Sequence, residues 1–91
     1  MRFFSRGYFA TFALMDETEK NISIEIKKVA QKIKQLRKEK GYTSFQSFAF
    51  EHELNRVQYW RVEAGENITL KTLLRILAIH NLSLEEFFKG L

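Results

Sequence analysis

The stretch that decides the fold runs from Ser44 to Gly65 and reads SFQSFAFEHELNRVQYWRVEAG. It predicts two short helices joined by a tight turn at Glu53, because Ser44 can cap the first helix and Asn55 the second. Ala49 is small enough to let another helix cross the first one closely. A helix, a tight turn and a second capped helix therefore form the centre of the expected fold.

The second of these helices, expected to end near Glu63, has two different faces. Leu54, Tyr59 and Val62 share the side predicted to point inward. The outward side carries Arg56, Val57, Gln58, Trp60 and Arg61. Such a face suits the DNA major groove, where Arg pairs with guanine, Gln with adenine and an apolar group meets the thymine methyl. The same periodicity also fits a helix in any small bundle.

The segments on either side also read as helices. Residues 22–40 hold seven Lys or Arg against two acids and end at Gly41, a residue suited to a left-handed helix end. An apolar stripe runs through this helix at Ile22, Ile26, Val29, Ile33 and Leu36.

Downstream, Thr69 caps a fourth helix, and a capping box of Ser83 and Glu86 opens a last short one. The predicted core face of the fourth helix is Leu70, Leu73, Leu74, Leu77 and Ala78. No strand-like alternation competes, so residues 21–91 are predicted to form one compact all-α domain of five helices.

Composition excludes several classes of function. The chain of 91 residues has no cysteine and two histidines, which excludes disulfides, cysteine zinc sites, thiol catalysis and a histidine-rich metal site. No nucleophile, base and orienting group occur together, so we expect neither an enzyme nor a cofactor or small-molecule substrate. The net charge of +4 permits a polyanionic partner without requiring one.

Residues 1–20 are expected to be an N-terminal extension. The apolar run from Tyr8 to Met15 has eight residues, whereas a membrane span needs about 20, so no membrane association is expected. Composition changes sharply at Met15, which is a plausible natural start. Residues 1–14 are either upstream sequence, a family-specific extension or an aromatic arm that packs on a partner subunit, and the sequence leaves these alternatives open.

The pattern of these residues resembles the Cro/phage-repressor (XRE-type) family of helix-turn-helix DNA-binding proteins. Residues 44–65 are similar to the family's S-Q-x-x-L-A-x-x-x-G-V-S-x-x-x-I-x-x-I-E-x-G without a gap. Leu36 and Arg37, followed by Gly41, resemble its L-R-x-x-x-G, and the segment from Leu70 to Phe88 resembles its closing helices. The resemblance covers roughly residues 25–89 and implies a lambda-repressor-like domain that binds double-stranded DNA in the cytoplasm.

The resemblance also implies roles for individual residues. Arg56, Val57 and Arg61 match positions that face base edges, with Gln58 and Trp60 beside them as further candidates for DNA contact. Trp60 is open to half-buried packing or to stacking on a nucleotide. Positions expected to meet phosphates are Ser44, Phe45 and Asn55, and the structural ion pair is Arg37 with Glu63.

Three departures from the family pattern imply weak DNA binding by a monomer. Phe45 stands where the family has Gln, Glu53 replaces the turn Gly, and no Lys or Arg follows the second helix at residues 64–67. A homodimer would offset this weakness. Its expected interface is Ile76, Ile79 and Leu91, although Ile79 can equally close the core.

Two functions follow from this interpretation. The first is a sequence-specific transcriptional regulator, expected to be a repressor, that reads the major groove with residues 56–63. The alternative is a protein-interaction module on the same fold, such as an antitoxin or an adaptor in a complex.

Overall fold

The computed structural model describes the backbone of residues 5–91 and the side chains from Asp16 onward. Within this range the chain forms five α-helices and no strand, which confirms the all-α, five-helix prediction. They are α1 (Ser5–Glu39), α2 (Phe45–Glu51), α3 (Arg56–Glu63), α4 (Leu70–Ile79) and α5 (Leu84–Lys89).

Helices α2 to α5 begin where the sequence predicts caps. Side-chain oxygens of Ser44, Asn55, Thr69 and Ser83 each accept a hydrogen bond from the backbone N–H three residues on. At Ser83 the carboxylate of Glu86 also accepts from the Ser83 N–H, which completes the capping box. These bonds satisfy helix-end N–H groups that have no partner within the helix.

The turns depend on residues in the left-handed region. Gly41 ends α1 with φ 102° and Gly65 follows α3 with φ 88°. Glu53 and Asn81 adopt the same region with φ 56° and 57°, although each carries a side chain. The predicted turn at Glu53 is therefore confirmed, and it uses a conformation that is strained for glutamate.

The core lies where α1, α2, α3, α4 and α5 meet. Its buried side chains are Ile33 from α1, Phe48 and Ala49 from α2, Tyr59 and Val62 from α3, Leu73, Ile76 and Leu77 from α4, and Phe87 from α5. Leu54 and Ile68 pack against this cluster from the connecting segments. Because α3 contributes only Tyr59 and Val62, most of its surface stays outside the core.

The predicted face of α4 is partly wrong. Leu73 and Leu77 are buried as expected, but Leu70 is 59% and Leu74 44% exposed, and Ala78 is exposed as well. Ile76, predicted for a dimer surface, is 1% exposed and belongs to the core. In α4 the polar residues Lys71, Thr72 and Arg75 share an arc of about 100°, and most of the apolar residues spread over about 200°. The core covers only part of this wide apolar arc, so the periodicity does not show which apolar residues are buried.

The other two residues of the predicted interface differ from Ile76. Ile79 is partly buried and packs against the core, which is the alternative that the sequence had left open. Leu91 is 46% exposed. The interface predicted from Ile76 and Ile79 is therefore corrected, and the exposed apolar residues of α4 are Leu70 and Leu74.

The first helix is much longer than the sequence suggests. It has 35 residues, which corresponds to about 52 Å, and it accounts for most of the 54 Å length of the molecule. The expected boundary between residues 20 and 21 lies inside this helix. Among the described residues, none of the helices combines the length and the apolar character needed to cross a bilayer.

Candidate nucleic-acid interface

One buried ion pair sets the position of α3 against α1. Arg37 donates through Nε and Nη2 to the two carboxylate oxygens of Glu63, at 2.8 and 2.9 Å. Its Nη1 donates to the carbonyl oxygen of Tyr42 at 2.9 Å, so the guanidinium also holds the segment that leads into α2. The side chains of the pair are 4% and 8% exposed. The structure thus forms the structural ion pair that the sequence predicted.

The surroundings of this pair raise the pKa of Arg37 and of the neighbouring Tyr59. Hydrogen bonding to Glu63 raises the pKa of Arg37, so the guanidinium stays charged. Burial raises the pKa of the Tyr59 hydroxyl, and the Glu63 carboxylate beside it acts in the same direction. The paired charges and the neutral tyrosine fix the C-terminal half of α3 in one orientation.

The orientation of α3 follows from helical geometry. Successive residues are about 100° apart around the axis, so Tyr59 and Val62 are separated by roughly 60° on one side. Arg56, Trp60, Val57 and Arg61 fall within an arc of about 140° on the opposite side. Burying Tyr59 and Val62 therefore exposes the predicted base-contacting residues together.

The three predicted base-contacting residues are all accessible. Arg56 is exposed, Val57 is 56% exposed, and the side chain of Arg61 is 61% exposed. Arg61 is not free of other charges, since its Nε lies 3.8 Å from the Glu66 Oε1 just beyond α3. Because both groups are exposed, this pair is weak and open to exchange with another anion.

Gln58 and Trp60 lie about 160° apart around the α3 axis, so Trp60 falls within the exposed arc and Gln58 does not. Contrary to the prediction, Gln58 lies next to the buried side of α3 and lines a depression with Thr72 and Arg75 of α4. The backbone N–H of Gln58 donates to Asn55 Oδ1 at 2.8 Å. A capping box would also need a hydrogen bond from the Asn55 N–H to the Gln58 side chain, and α3 does not have one. The Gln58 side-chain amide is exposed and takes no part in capping α3. Trp60 is 48% exposed, which agrees with the half-buried alternative and leaves a ring edge at the surface.

The predicted phosphate-contacting residues are partly engaged. Ser44 Oγ accepts from the Ser47 N–H at 3.1 Å and Asn55 Oδ1 caps α3, so both side-chain oxygens act within the chain. The ring of Phe45 packs against the core. A phosphate contact at these positions would therefore come from backbone N–H groups at the starts of α2 and α3.

The sequence interpretation missed one residue of this surface. Phe50, in the last turn of α2, is 86% exposed and lines a shallow depression with Gln46, Ser47, Leu54 and Arg56. The spacing of Phe48 and Ala49 contained the signal, because two adjacent core residues on a helix turn the next position outward. Phe50 adds an exposed aromatic ring to the depression that Arg56 also lines.

The chemistry of this surface is that of binding. It combines two arginines, an aliphatic group and two aromatic rings. No group of three or more His, Cys, Asp or Glu able to hold a metal ion occurs in the described part of the chain.

Comparison with known proteins adds nothing to this description, since the chain matches no family model, no curated protein and no solved structure.

Proposed function

We propose that this protein is a sequence-specific DNA-binding regulator of the XRE type that inserts α3 into the major groove. The observation that carries the proposal is the exposed arc of α3, which presents Arg56, Val57 and Arg61 opposite the buried Tyr59 and Val62. Arg can read guanine through two hydrogen bonds and Val can contact a thymine methyl. The Arg37–Glu63 pair supports the proposal by holding α3 rigidly against α1.

In this proposal the contacts to DNA bases and the contacts to DNA phosphates come from different parts of α2 and α3. The exposed side chains of α3 contact base edges, while backbone N–H groups at the starts of α2 and α3 donate hydrogen bonds to phosphate oxygens, which the positive end of the helix dipole also attracts. The regulator acts in the cytoplasm without a cofactor, and represses by occupying its operator.

The test is selection of duplex DNA from a random pool, followed by fluorescence anisotropy with the selected sequence at two salt concentrations. The proposal expects one enriched motif and an affinity that falls steeply with salt, by roughly 0.9 in log–log slope for each phosphate contact. A shallow salt dependence with no enriched motif would refute it.

A second function is favoured by Phe50. An aromatic ring that is 86% exposed beside Arg56 is typical of a protein contact, where aromatic residues and Arg dominate the binding energy. The alternative is therefore a protein-interaction module, such as an antitoxin or an adaptor. Phe50→Ser separates the two functions, because it should abolish partner binding in the second case and leave the selected DNA motif unchanged in the first.

A further inference from the structure

The positive charge of this protein is concentrated in and just after the C-terminal half of α1. Residues 22–40 hold seven Lys or Arg against two acids, an excess larger than the net charge of +4 that the whole chain carries. The one arginine among them, Arg37, is buried and paired with Glu63. The remaining positive charge therefore belongs to the lysines of this segment.

Four of these lysines line one open groove, here called the lysine groove. It has a volume of about 470 Å³ and lies between α1 and the two residues that follow α5, Gly90 and Leu91. Its walls contain no acidic side chain, and none of α2, α3 or α4 contributes to them. The α1 residues that line it are Lys28, Gln31, Lys32, Lys34, Gln35 and Lys38.

Three of the four lysines have no counter-charge. Lys28 Nζ lies 3.2 Å from the Oε2 atom of Glu25, and both side chains are exposed. Among the described side chains, Lys32, Lys34 and Lys38 form no ion pair. These three residues lie within about 9 Å of one another along the α1 axis, so their positive charges repel. An anion bound in the lysine groove would relieve this repulsion.

One of the unpaired ammonium groups is held in place. Lys32 is partly buried, whereas Lys34 and Lys38 are exposed. A Cβ atom at position 90 would lie 2.7 Å from Lys32 Nζ, so this ammonium packs directly against the backbone of Gly90. The absence of a side chain at Gly90 leaves the space that the ammonium occupies. The lysine groove therefore contains a positioned cation that no acid neutralises.

The residue types in the lysine groove favour phosphate over other anions. A lysine ammonium binds phosphate as a compact point charge, whereas arginine is the residue that matches carboxylates with two parallel hydrogen bonds. The groove contains no arginine and no aromatic ring, the residues that dominate binding to protein partners. From Lys28 to Lys38 its lysines extend about 15 Å along α1, farther than one phosphate group can reach.

We propose that the lysine groove binds a chain of phosphate groups, independently of sequence. The backbone of a nucleic acid and inorganic polyphosphate share this chemistry, because both repeat a negatively charged phosphate along a flexible chain. The site is separate from the exposed arc of α3, since no residue of that helix lines the groove. The proposal does not depend on base recognition by α3 and gives the protein a second contact with polyanions.

The first experiment removes two charges from the lysine groove of the full-length chain. The groove variant is Lys34→Gln with Lys38→Gln, and the matched control is Lys20→Gln with Lys71→Gln, which removes the same charge from exposed positions outside the groove. Fluorescence anisotropy measures binding of labelled polyphosphate, and separately of a duplex without a selected motif. The groove variant should bind at least about tenfold more weakly than the control. For the duplex, its log–log salt slope should be smaller by roughly 1.8.

The second experiment adds a charge to the lysine groove. Gln31→Lys places a fifth lysine among the other four and should tighten polyphosphate binding severalfold. Asn21→Lys is the matched control, because it adds the same charge to an exposed position of α1 about 15 Å away along the axis and outside the groove. It should leave the affinity nearly unchanged. A gain of affinity cannot result from misfolding, and circular dichroism should report an intact fold for all variants.

The choice of probe separates the sources of the anion. Whichever of polyphosphate and duplex loses more affinity in the groove variant is the better source of the phosphate chain. Polyglutamate is the third probe, because it carries repeated negative charges without phosphate. Binding of polyglutamate as tight as that of polyphosphate would overturn the proposal and indicate an acidic protein segment instead.

Two further outcomes would overturn the proposal. They are equal losses of affinity in the groove variant and its control, and equal gains from Gln31→Lys and Asn21→Lys. An enriched DNA motif without any effect of the groove variant would support the proposed function while refuting the phosphate site. Groove-dependent binding of polyphosphate without an enriched motif would do the reverse, so the two failures are distinguishable.

Discussion

The imidazole of His80 stacks on the ring of Phe48, with centroids 5.5 Å apart and planes inclined by 6°. His80 Nε2 is buried and has no hydrogen-bond partner. Burial lowers the pKa of His80, and the charges of Lys40 and His52 act in the same direction. A histidine at the end of α4 thereby makes the packing of the core sensitive to protons.

We expect the protein to lose stability as the pH falls below the ordinary histidine value of 6.5. The unfolded chain binds the proton of His80 more readily than the folded protein, so the stabilising effect of the neutral ring is complete above that value and is lost below it. His80→Phe keeps an aromatic ring on Phe48 and removes the titration. Urea unfolding at pH values above and below 6.5 should show that the free energy of unfolding depends less on pH in the variant. An unchanged profile would show that another group is responsible.

Breaking the Arg37–Glu63 pair should destabilise the fold strongly. Glu63→Gln leaves the guanidinium buried without its counter-charge, and we expect a loss of about 3–5 kcal/mol. The double variant Arg37→Met with Glu63→Leu removes both charges and should lose less than Glu63→Gln alone. Glu66→Gln removes the partner of the exposed Arg61 and serves as the control, with an expected change within about 1 kcal/mol. Urea denaturation measures all three, and equal losses at Glu63 and Glu66 would contradict the structural role.

Replacing Glu53 by glycine should stabilise the protein. Glu53 has φ 56°, a conformation that glycine adopts without a steric penalty. Release of this strain outweighs the greater freedom of glycine in the unfolded chain, so we expect a gain of up to roughly 1 kcal/mol. Glu51→Gly in the last turn of α2 should have the opposite sign. Thermal unfolding of the two variants is the measurement, and a loss of stability in both would rule out relief of strain at Glu53.

Under the proposed function, Arg56→Ala should change which bases are preferred as well as the affinity. We expect a loss of roughly 1–3 kcal/mol confined to particular base positions. Lys38→Ala should change little, because Lys38 lies in the groove beside Gly90 and Leu91, away from the exposed arc of α3. Anisotropy with singly substituted operators compares the two variants, and identical profiles would show that the site assignment is wrong.

Removing the charge of Glu66 should strengthen DNA binding. The Glu66 carboxylate lies 3.8 Å from Arg61 Nε and competes with the DNA for that group. Glu66→Gln is therefore expected to raise the affinity severalfold at low salt, and the gain should shrink as salt screens the charges. Anisotropy titrations at low and high salt provide the measurement. An affinity that falls or stays constant would mean that Arg61 does not face the DNA.

Local chemistry made much of this protein predictable from its residues. Caps at Ser44, Asn55, Thr69 and Ser83 act within one turn of chain, so they mark helix starts without knowledge of the rest of the molecule. The turns at Gly41 and Asn81 are local in the same way. The faces of α3 were predictable only in part. Tyr59 and Val62 are buried as expected, but Val57 and Trp60 lie on the exposed side, so the apolar pattern of α3 does not by itself separate its two faces.

Other features depended on contacts between distant segments. The apolar residues of α4 cover more than half of its circumference, so only packing against the neighbouring helices decided that Ile76 is buried and Leu70 exposed. The length of α1 was also hidden, since composition changes at Met15 while the helix continues through it. Phe50 became part of the candidate site only when α2 packed on α3 and brought its ring beside Arg56. Helix caps and turns depend on hydrogen bonds between residues close in sequence, so they can be predicted from the sequence. Which face of a helix is buried depends on the packing of the whole core, so it becomes clear only in the tertiary structure.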